Sequence, residues 1–262
     1  MDSLFIFYLT NKCNFRCKYC YESLDQKRIN VTKEDIVAYL DEKLKNAEGQ
    51  VQFVLFGGEP FLEFEKMRFF CNYALKKYKN VRFTTFTNGS FFQKNENVLE
   101  FIKLKNISVY VSYDGVGNNL RVDHKGDTTS KTIKVLGKLS QLGRRKLIDW
   151  GISYTINSEN HKLLHKDLEN ILESFHPPKI ILNTDYQNMA KIYGDDPDVI
   201  RSKINSLQAL ETLWKKYKIP LCNYTCNLCN KCKTRSLYDY TLKDQHITLD
   251  ANKYHHKEQV LV

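Results

Sequence analysis

The sequence has no apolar run long enough to span a membrane, and its N-terminus has no basic stretch followed by an apolar one. The expected location is the cytoplasm, with no membrane partner. Internal repeats and low-complexity segments are absent as well, which leaves an ordinary globular organisation. Negative charge is the scarcer sign: 30 acidic residues against 40 basic ones give a formal charge of +10. Such an excess can steer an acidic peptide or RNA to a protein. The basic residues are scattered along helix faces, however, as at Lys43, Lys45, Lys76, Lys77, Lys215 and Lys216, in the manner of solvated surface. No RNA-binding module is evident and DNA is not expected as a partner. A disulfide framework is excluded too, because seven of the 8 cysteines fall in two tight clusters that suit metal in a reducing compartment. With 262 residues, 42% hydrophobic and 27% charged, the chain can bury one large core plus a small appendage.

Chemistry is concentrated at a few points. Cys13, Cys17 and Cys20 are separated by three residues and then two, and no fourth cysteine stands nearby. Three thiolates leave one position of a metal site open to something other than protein, whereas four would close it. By spacing alone the triplet also suits half of a zinc site completed by a histidine. The loop follows Leu4–Leu9, an apolar run of strand length without helical period. A second such run, Gln52–Phe56, ends in Gly57-Gly58-Glu59-Pro60. Two glycines there would let a ligand approach the backbone, and Glu59 adds a carboxylate able to meet an ammonium group. Val81–Phe86 leads into Thr87-Asn88-Gly89, and Ile107–Val111 into Ser112-Tyr113-Asp114-Gly115. Taken singly, Asn88-Gly89 and Asp114-Gly115 are ordinary turn pairs.

In this order, each after a strand, these motifs resemble the signature of the radical S-adenosylmethionine (radical SAM) enzymes. The resemblance implies a 4Fe-4S cluster on Cys13, Cys17 and Cys20, its fourth iron chelated by the amino and carboxylate groups of S-adenosylmethionine. One electron, from an external donor such as flavodoxin or ferredoxin, then cleaves the sulfonium and releases a 5′-deoxyadenosyl radical that abstracts hydrogen from a substrate. It further implies that Tyr19 packs beside the adenine, and that Gly57, Gly58, Glu59, Asn88, Ser112, Arg121 and Asn157 hold S-adenosylmethionine. Arg121 reads equally as a surface arginine on the polar loop from Asn118 to Thr129.

Two further strands, Ile148–Ile156 and Lys179–Asn183, bring the count to six. Helical stripes lie between the strands. One follows a capping box at Thr32–Asp35, two contain Phe69-Phe70 and Phe101-Ile102, one is expected to end before Gly143, and one runs Leu164–Phe175 after an N-cap at Ser158. Cys71 reads as a small buried hydrophobe. The expected fold is α/β, a partial (β/α)6 TIM-like barrel of parallel strands over residues 1–190, a helix over 191–220, and a small cysteine-rich module over 221–262. Asp185 and Tyr186 should face the cavity at the strands' C-terminal ends, with Asp185 the catalytic candidate.

Cys222, Cys226, Cys229 and Cys232 can enclose one metal centre. The resemblance favours an auxiliary 4Fe-4S cluster of the SPASM or twitch kind found in peptide-modifying maturases, and structural zinc is the rival. The pattern departs from that kind, because the close-packed cysteines come first and His255 and His256 stand where a later cysteine is expected. The sequence starts almost at its first strand, so a peptide substrate is expected to be held by the barrel, by the C-terminal module or by a separate leader-recognition protein. The resulting reading is a radical SAM enzyme that abstracts hydrogen from a peptide or small protein and then forms a crosslink, a thioether or an epimer. The alternatives are a radical SAM enzyme acting on RNA or a small metabolite, with structural zinc at the C-terminal cysteines, and a non-catalytic zinc module, against which the Gly57–Pro60 turn counts.

Overall fold

The computed structural model describes residues 3–20, 30–93, 95–104, 106–116, 120–123, 126–127, 129–196, 199–200, 203, 210–219 and 221–222. Strands and helices alternate: β1 (Ser3–Thr10), α1 (Lys33–Leu44), β2 (Val51–Gly57), α2 (Phe64–Lys77), β3 (Val81–Thr87), α3 (Glu96–Leu104) and β4 (Ile107–Ser112). A hairpin of β5 (Val122–Asp123) and β6 (Gly126–Asp127) follows. Then come α4 (Thr129–Arg144), β7 (Asp149–Ile156), α5 (Leu164–Phe175), β8 (Ile180–Thr184), α6 (Tyr186–Tyr193), a helix Leu210–Tyr217 and β9 (Leu221–Cys222). The main sheet is parallel throughout, in the order β1-β2-β3-β4-β7-β8-β9. Among the described residues its two edges do not meet, so it forms the expected partial barrel.

The alternation along each strand separates two faces. Phe7, Phe53 and Phe83 point to the helices and surround Phe70 of α2, with ring centroids 4.8, 5.2 and 6.4 Å from it. Each is fully buried, worth roughly 1.5–3 kcal/mol per ring. The opposite face carries a continuous aromatic row. Tyr8 meets Phe56 at 5.4 Å, Phe56 meets Phe86 at 5.6 Å, and Phe86 stacks on Tyr110 at 5.3 Å. Gly151 pairs with Tyr110 in the same row, and a Cβ there would lie 2.7 Å from the tyrosine ring. Below the row, toward the strands' N-terminal ends, Gln52 donates to Thr84 at 2.9 Å, and Asp149 accepts from Ser108 and, at 3.1 Å, from Lys179. Above it lie Ser112, Ser153 and Asn183, the last donating to Ser153 at 2.9 Å. The concave face is thus an aromatic floor under a polar mouth.

The helix ends correct several expectations. Thr32 and Asp35 form the capping box reciprocally, at 3.1 and 2.8 Å. Gly143, by contrast, lies inside α4, where a Cβ would sit 2.2 Å from Trp150 Nε1. Packing selects the glycine, and the left-handed position that closes the helix is Lys146 (φ 56°), with Leu147 N donating to the Leu142 carbonyl. Ser158 is not the cap of α5, because a turn organised by Asn157 and Asn160 intervenes and Leu163 stands at the cap. Within the expected polar loop lies the β5–β6 hairpin. β9 adds a seventh strand, pairing Cys222 with Ile181. The expected boundary at 190 falls inside α6, and Ile200 and Leu213 join the barrel's own core. Cys71 is buried as expected. No helix among the described residues is long and apolar enough to cross a membrane.

Candidate functional site

The loop after β1 carries the three N-terminal cysteines and is clamped from three directions. From β2, Gly58 N donates to the Thr10 carbonyl at 2.9 Å and Glu59 N to the Lys12 carbonyl at 2.8 Å. A Cβ on Gly57 would lie 1.9 Å from the Thr10 oxygen, and one on Gly58 2.4 Å from the Lys12 oxygen. The glycine pair therefore admits the close approach of the cysteine loop itself. From the β3 turn, Asn88 donates to Asn14 at 2.8 Å, and Asn14 donates to Ser90 Oγ at 2.9 Å. From the hairpin, the backbone of Leu120–Asp123 pairs with that of Phe15–Lys18.

Glu59 is wholly buried and ties β2 to β3. One carboxylate oxygen accepts from Thr87 Oγ1 at 2.8 Å and Phe61 N at 3.2 Å, the other from Asn88 N at 2.7 Å. Its carboxylate is thus engaged in holding the turns. Burial pushes its pKa from 4.5 up to about 7, against the pull of these three donors. An acid that titrates higher in the folded state holds an extra proton between those two values. Stability therefore falls as pH rises through that window, by at most about 3 kcal/mol, and the loss is complete above it. Denaturant midpoints taken at ~pH 5 and ~pH 8 should differ more for the wild type than for Glu59→Gln. Equal differences would show that Glu59 does not titrate in this range.

Asp114 joins three elements. Its Oδ1 accepts from Thr155 N at 2.9 Å, while Oδ2 accepts from the Tyr19 hydroxyl and lies 3.4 Å from Arg121 Nε. Tyr19 is pushed well above its usual range by burial first and then by Asp114 and Cys17, with Arg121 opposing. Arg121 is half-buried and turned toward the loop, its Nη1 donating to Cys17 Sγ at 3.7 Å. Its guanidinium is turned inward onto Cys17 and Asp114 rather than out into solvent. Cys13 accepts from Phe15 N at 3.3 Å, and burial raises its thiol to about 11. Burial raises Cys17 too, against the neighbouring Arg121, and Cys20 is exposed.

Among the described residues no three cysteine, histidine or acidic side chains converge on a point where a metal ion would sit. The fit to an iron-sulfur cluster rests on the donor set: three soft sulfur ligands on one backbone-pinned loop, with the outermost open to solvent.

The remaining expected residues are dispersed. Ser112 lies at the C-terminal end of β4, in register with Ser153. Asn157 is fully buried and works within its own turn, its oxygen accepting from Glu159 N and Asn160 N. Asp185 caps α6, accepting from Asn188 N at 3.3 Å and Asn188 Nδ2 at 2.6 Å, so its carboxylate is engaged by the first turn of the helix. Tyr186 opens that helix and packs against the core. Cys222 lies in β9; Cys226, Cys229, Cys232, His255 and His256 fall outside the described residues. Asp114, Asn14 and Thr87 were not anticipated as site residues. The first belongs to the Asp-Gly turn, but which groups it would meet depends on the tertiary fold.

A family model described as the radical SAM superfamily matches residues 7–171. An uncharacterized protein, MJ0907, of Methanocaldococcus jannaschii is 28% identical over 171 residues, covering 63% of this chain and 56% of that one. The antilisterial bacteriocin subtilosin biosynthesis protein AlbA of Bacillus subtilis is 31% identical over 138 residues, covering 50% of this chain and 29% of that one. The chain thus spans about half or less of these relatives. Among solved structures, native anSMEcpe with bound AdoMet matches with a TM-score of 0.70 at 20% identity, covering 89% of this chain and 68% of that one, a likeness of fold. The same protein is also known with AdoMet and the Cp18Cys peptide bound.

Proposed function

The chain belongs to the radical SAM superfamily, and on that premise we propose that it is a radical SAM enzyme acting on a peptide or small protein. The observation that carries the reading is the cysteine loop, clamped at the C-terminal ends of the parallel strands by Gly58, Glu59, Asn88 and the Leu120–Asp123 segment. Cys13, Cys17 and Cys20 would hold the 4Fe-4S cluster. Bound together, the cluster and S-adenosylmethionine supply one-electron cleavage of the sulfonium and a 5′-deoxyadenosyl radical that takes hydrogen from carbon.

The chain's own residues orient and exclude. Asp114 fixes Tyr19 beside the loop, and Ser112, Ser153 and Asn183 present polar groups at the mouth. The row from Tyr8 to Tyr110 supplies an apolar floor that keeps water from beneath the reacting centre. The peptide reading is supported by the likeness to the subtilosin biosynthesis protein and to a fold known with a peptide bound. An external one-electron donor such as flavodoxin or ferredoxin is part of the proposal, as is a separate leader-recognition protein. Cys222, Cys226, Cys229 and Cys232 are proposed to hold a second 4Fe-4S cluster.

Anaerobically reconstituted protein, reduced in the presence of S-adenosylmethionine, should yield 5′-deoxyadenosine, and Cys17→Ala should fall to the no-enzyme level. Equal yields from the two would refute the assignment. The variant with Cys13, Cys17 and Cys20 all changed to alanine should keep about four irons, whereas zinc there would remove the second cluster. Peptides encoded beside the gene should gain a mass change or a deuterium-labelled epimer. Turnover on RNA or a free metabolite in their place would move the substrate class.

A further inference from the structure

The segment Leu120–Asp123, which ends in β5, runs antiparallel alongside Phe15–Lys18. Arg16 N donates to the Val122 carbonyl at 2.7 Å, Lys18 N to the Leu120 carbonyl at 2.8 Å, and Phe15 bridges Asp123. These two hydrogen bonds flank Cys17 on one side and Arg121 on the other, and so hold the two residues across from each other. The guanidinium spans the gap: Nη1 reaches Cys17 Sγ at 3.7 Å, and Nε lies 3.4 Å from the fully buried Asp114 carboxylate. We infer that Arg121 is a positioning residue that sets the reduction potential of the cluster on this loop by acting through Cys17, with Asp114 as its counterweight. The inference rests on the reading that Cys13, Cys17 and Cys20 hold that cluster.

The physical argument concerns charge. Reduction adds one negative charge to a cluster, and a buried permanent cation hydrogen-bonded to a ligand sulfur favours the more negative state. A carboxylate behind that cation opposes it. Because only 12% of the Arg121 side chain is exposed, solvent screens this interaction weakly. The backbone pairing of the neighbouring residues, independent of the side chain, holds the contact in place.

The test is a potentiometric titration of the anaerobically reconstituted full chain, following by electron paramagnetic resonance the signal that S-adenosylmethionine perturbs. Arg121→Gln should lower the equilibrium constant for reduction about tenfold, ~59 mV for a one-electron couple. Asp114→Asn should move the potential the other way, and Arg121→Lys should stay within about threefold of wild type by keeping the charge. A purely structural role would lower iron content while leaving the potential of the loaded fraction unchanged. Potentials unchanged in both Arg121→Gln and Asp114→Asn, or shifted in one common direction, overturn the inference. If Arg121→Gln does not fold, Asp114→Asn decides it: a raised potential there with Arg121→Lys near wild type bears the inference out, and an unchanged or lowered potential in Asp114→Asn overturns it. Wild-type protein without a cluster on the loop would overturn the underlying reading instead, and its iron content alone reports that.

Discussion

Alanine at Gly57 is expected to unseat the cysteine loop and to cost about 3 kcal/mol or more. The residue has φ +138°, and the added Cβ would lie 1.9 Å from the Thr10 carbonyl oxygen, an atom of the neighbouring strand's backbone with no rotamer to move into. Relief requires β1 and β2 to part where Thr10 pairs with Gly57, at the register irregularity that ends their ladder. The hydrogen bond from Gly58 N to the Thr10 carbonyl depends on the same closeness and would be lost with it. For a domain of this size that corresponds to a fall in Tm of roughly 6–12 °C, and iron per chain after reconstitution should drop in parallel. Gly137→Ala is the control, because nothing lies within 4 Å of its Cβ position in the middle of α4. There alanine should be neutral or stabilise by about 0.4–1 kcal/mol. A Gly57→Ala protein with wild-type Tm and iron content would show that the close approach is not required.

The contrast between those glycines marks what could be read before the fold was known. A Gly-Gly turn after a strand signals that a Cβ is unwelcome; it does not signal what approaches. Strand and helix alternation was legible because each strand is an apolar run and each helix from α1 to α5 carries a periodic apolar stripe. The β5–β6 hairpin was not, since two residues per strand allow no period, and Leu221–Cys222 is equally short. Asp185 was read as a cavity residue because it follows a strand end. An aspartate in that place also suits an N-cap, and the eight residues of α6 give too little pattern to tell the two apart. The aromatic floor needed the register: Tyr8, Phe56, Phe86 and Tyr110 fall in one row only once four strands are paired in parallel.

Asp114→Ala should be strongly destabilising, about 3–5 kcal/mol, because it takes the fully buried carboxylate away from the largely shielded Arg121 guanidinium. Arg121→Met should cost less. It removes the cation and leaves the Asp114 carboxylate still accepting from Thr155 N and the Tyr19 hydroxyl. The double variant should then be more stable than Asp114→Ala alone, since the stranded charge that dominates the single change is gone. A residual cost of about 1–3 kcal/mol should remain for the Thr155 N–H and Tyr19 O–H that lose their acceptor. The coupling read from a urea-unfolding cycle should accordingly be on the order of 1–3 kcal/mol, favouring the double variant. Additive costs would mean that the guanidinium finds an equivalent partner without Asp114. The carboxylate would then serve mainly to hold Tyr19 and the end of β7, and the cation's hold on Cys17 would not depend on it.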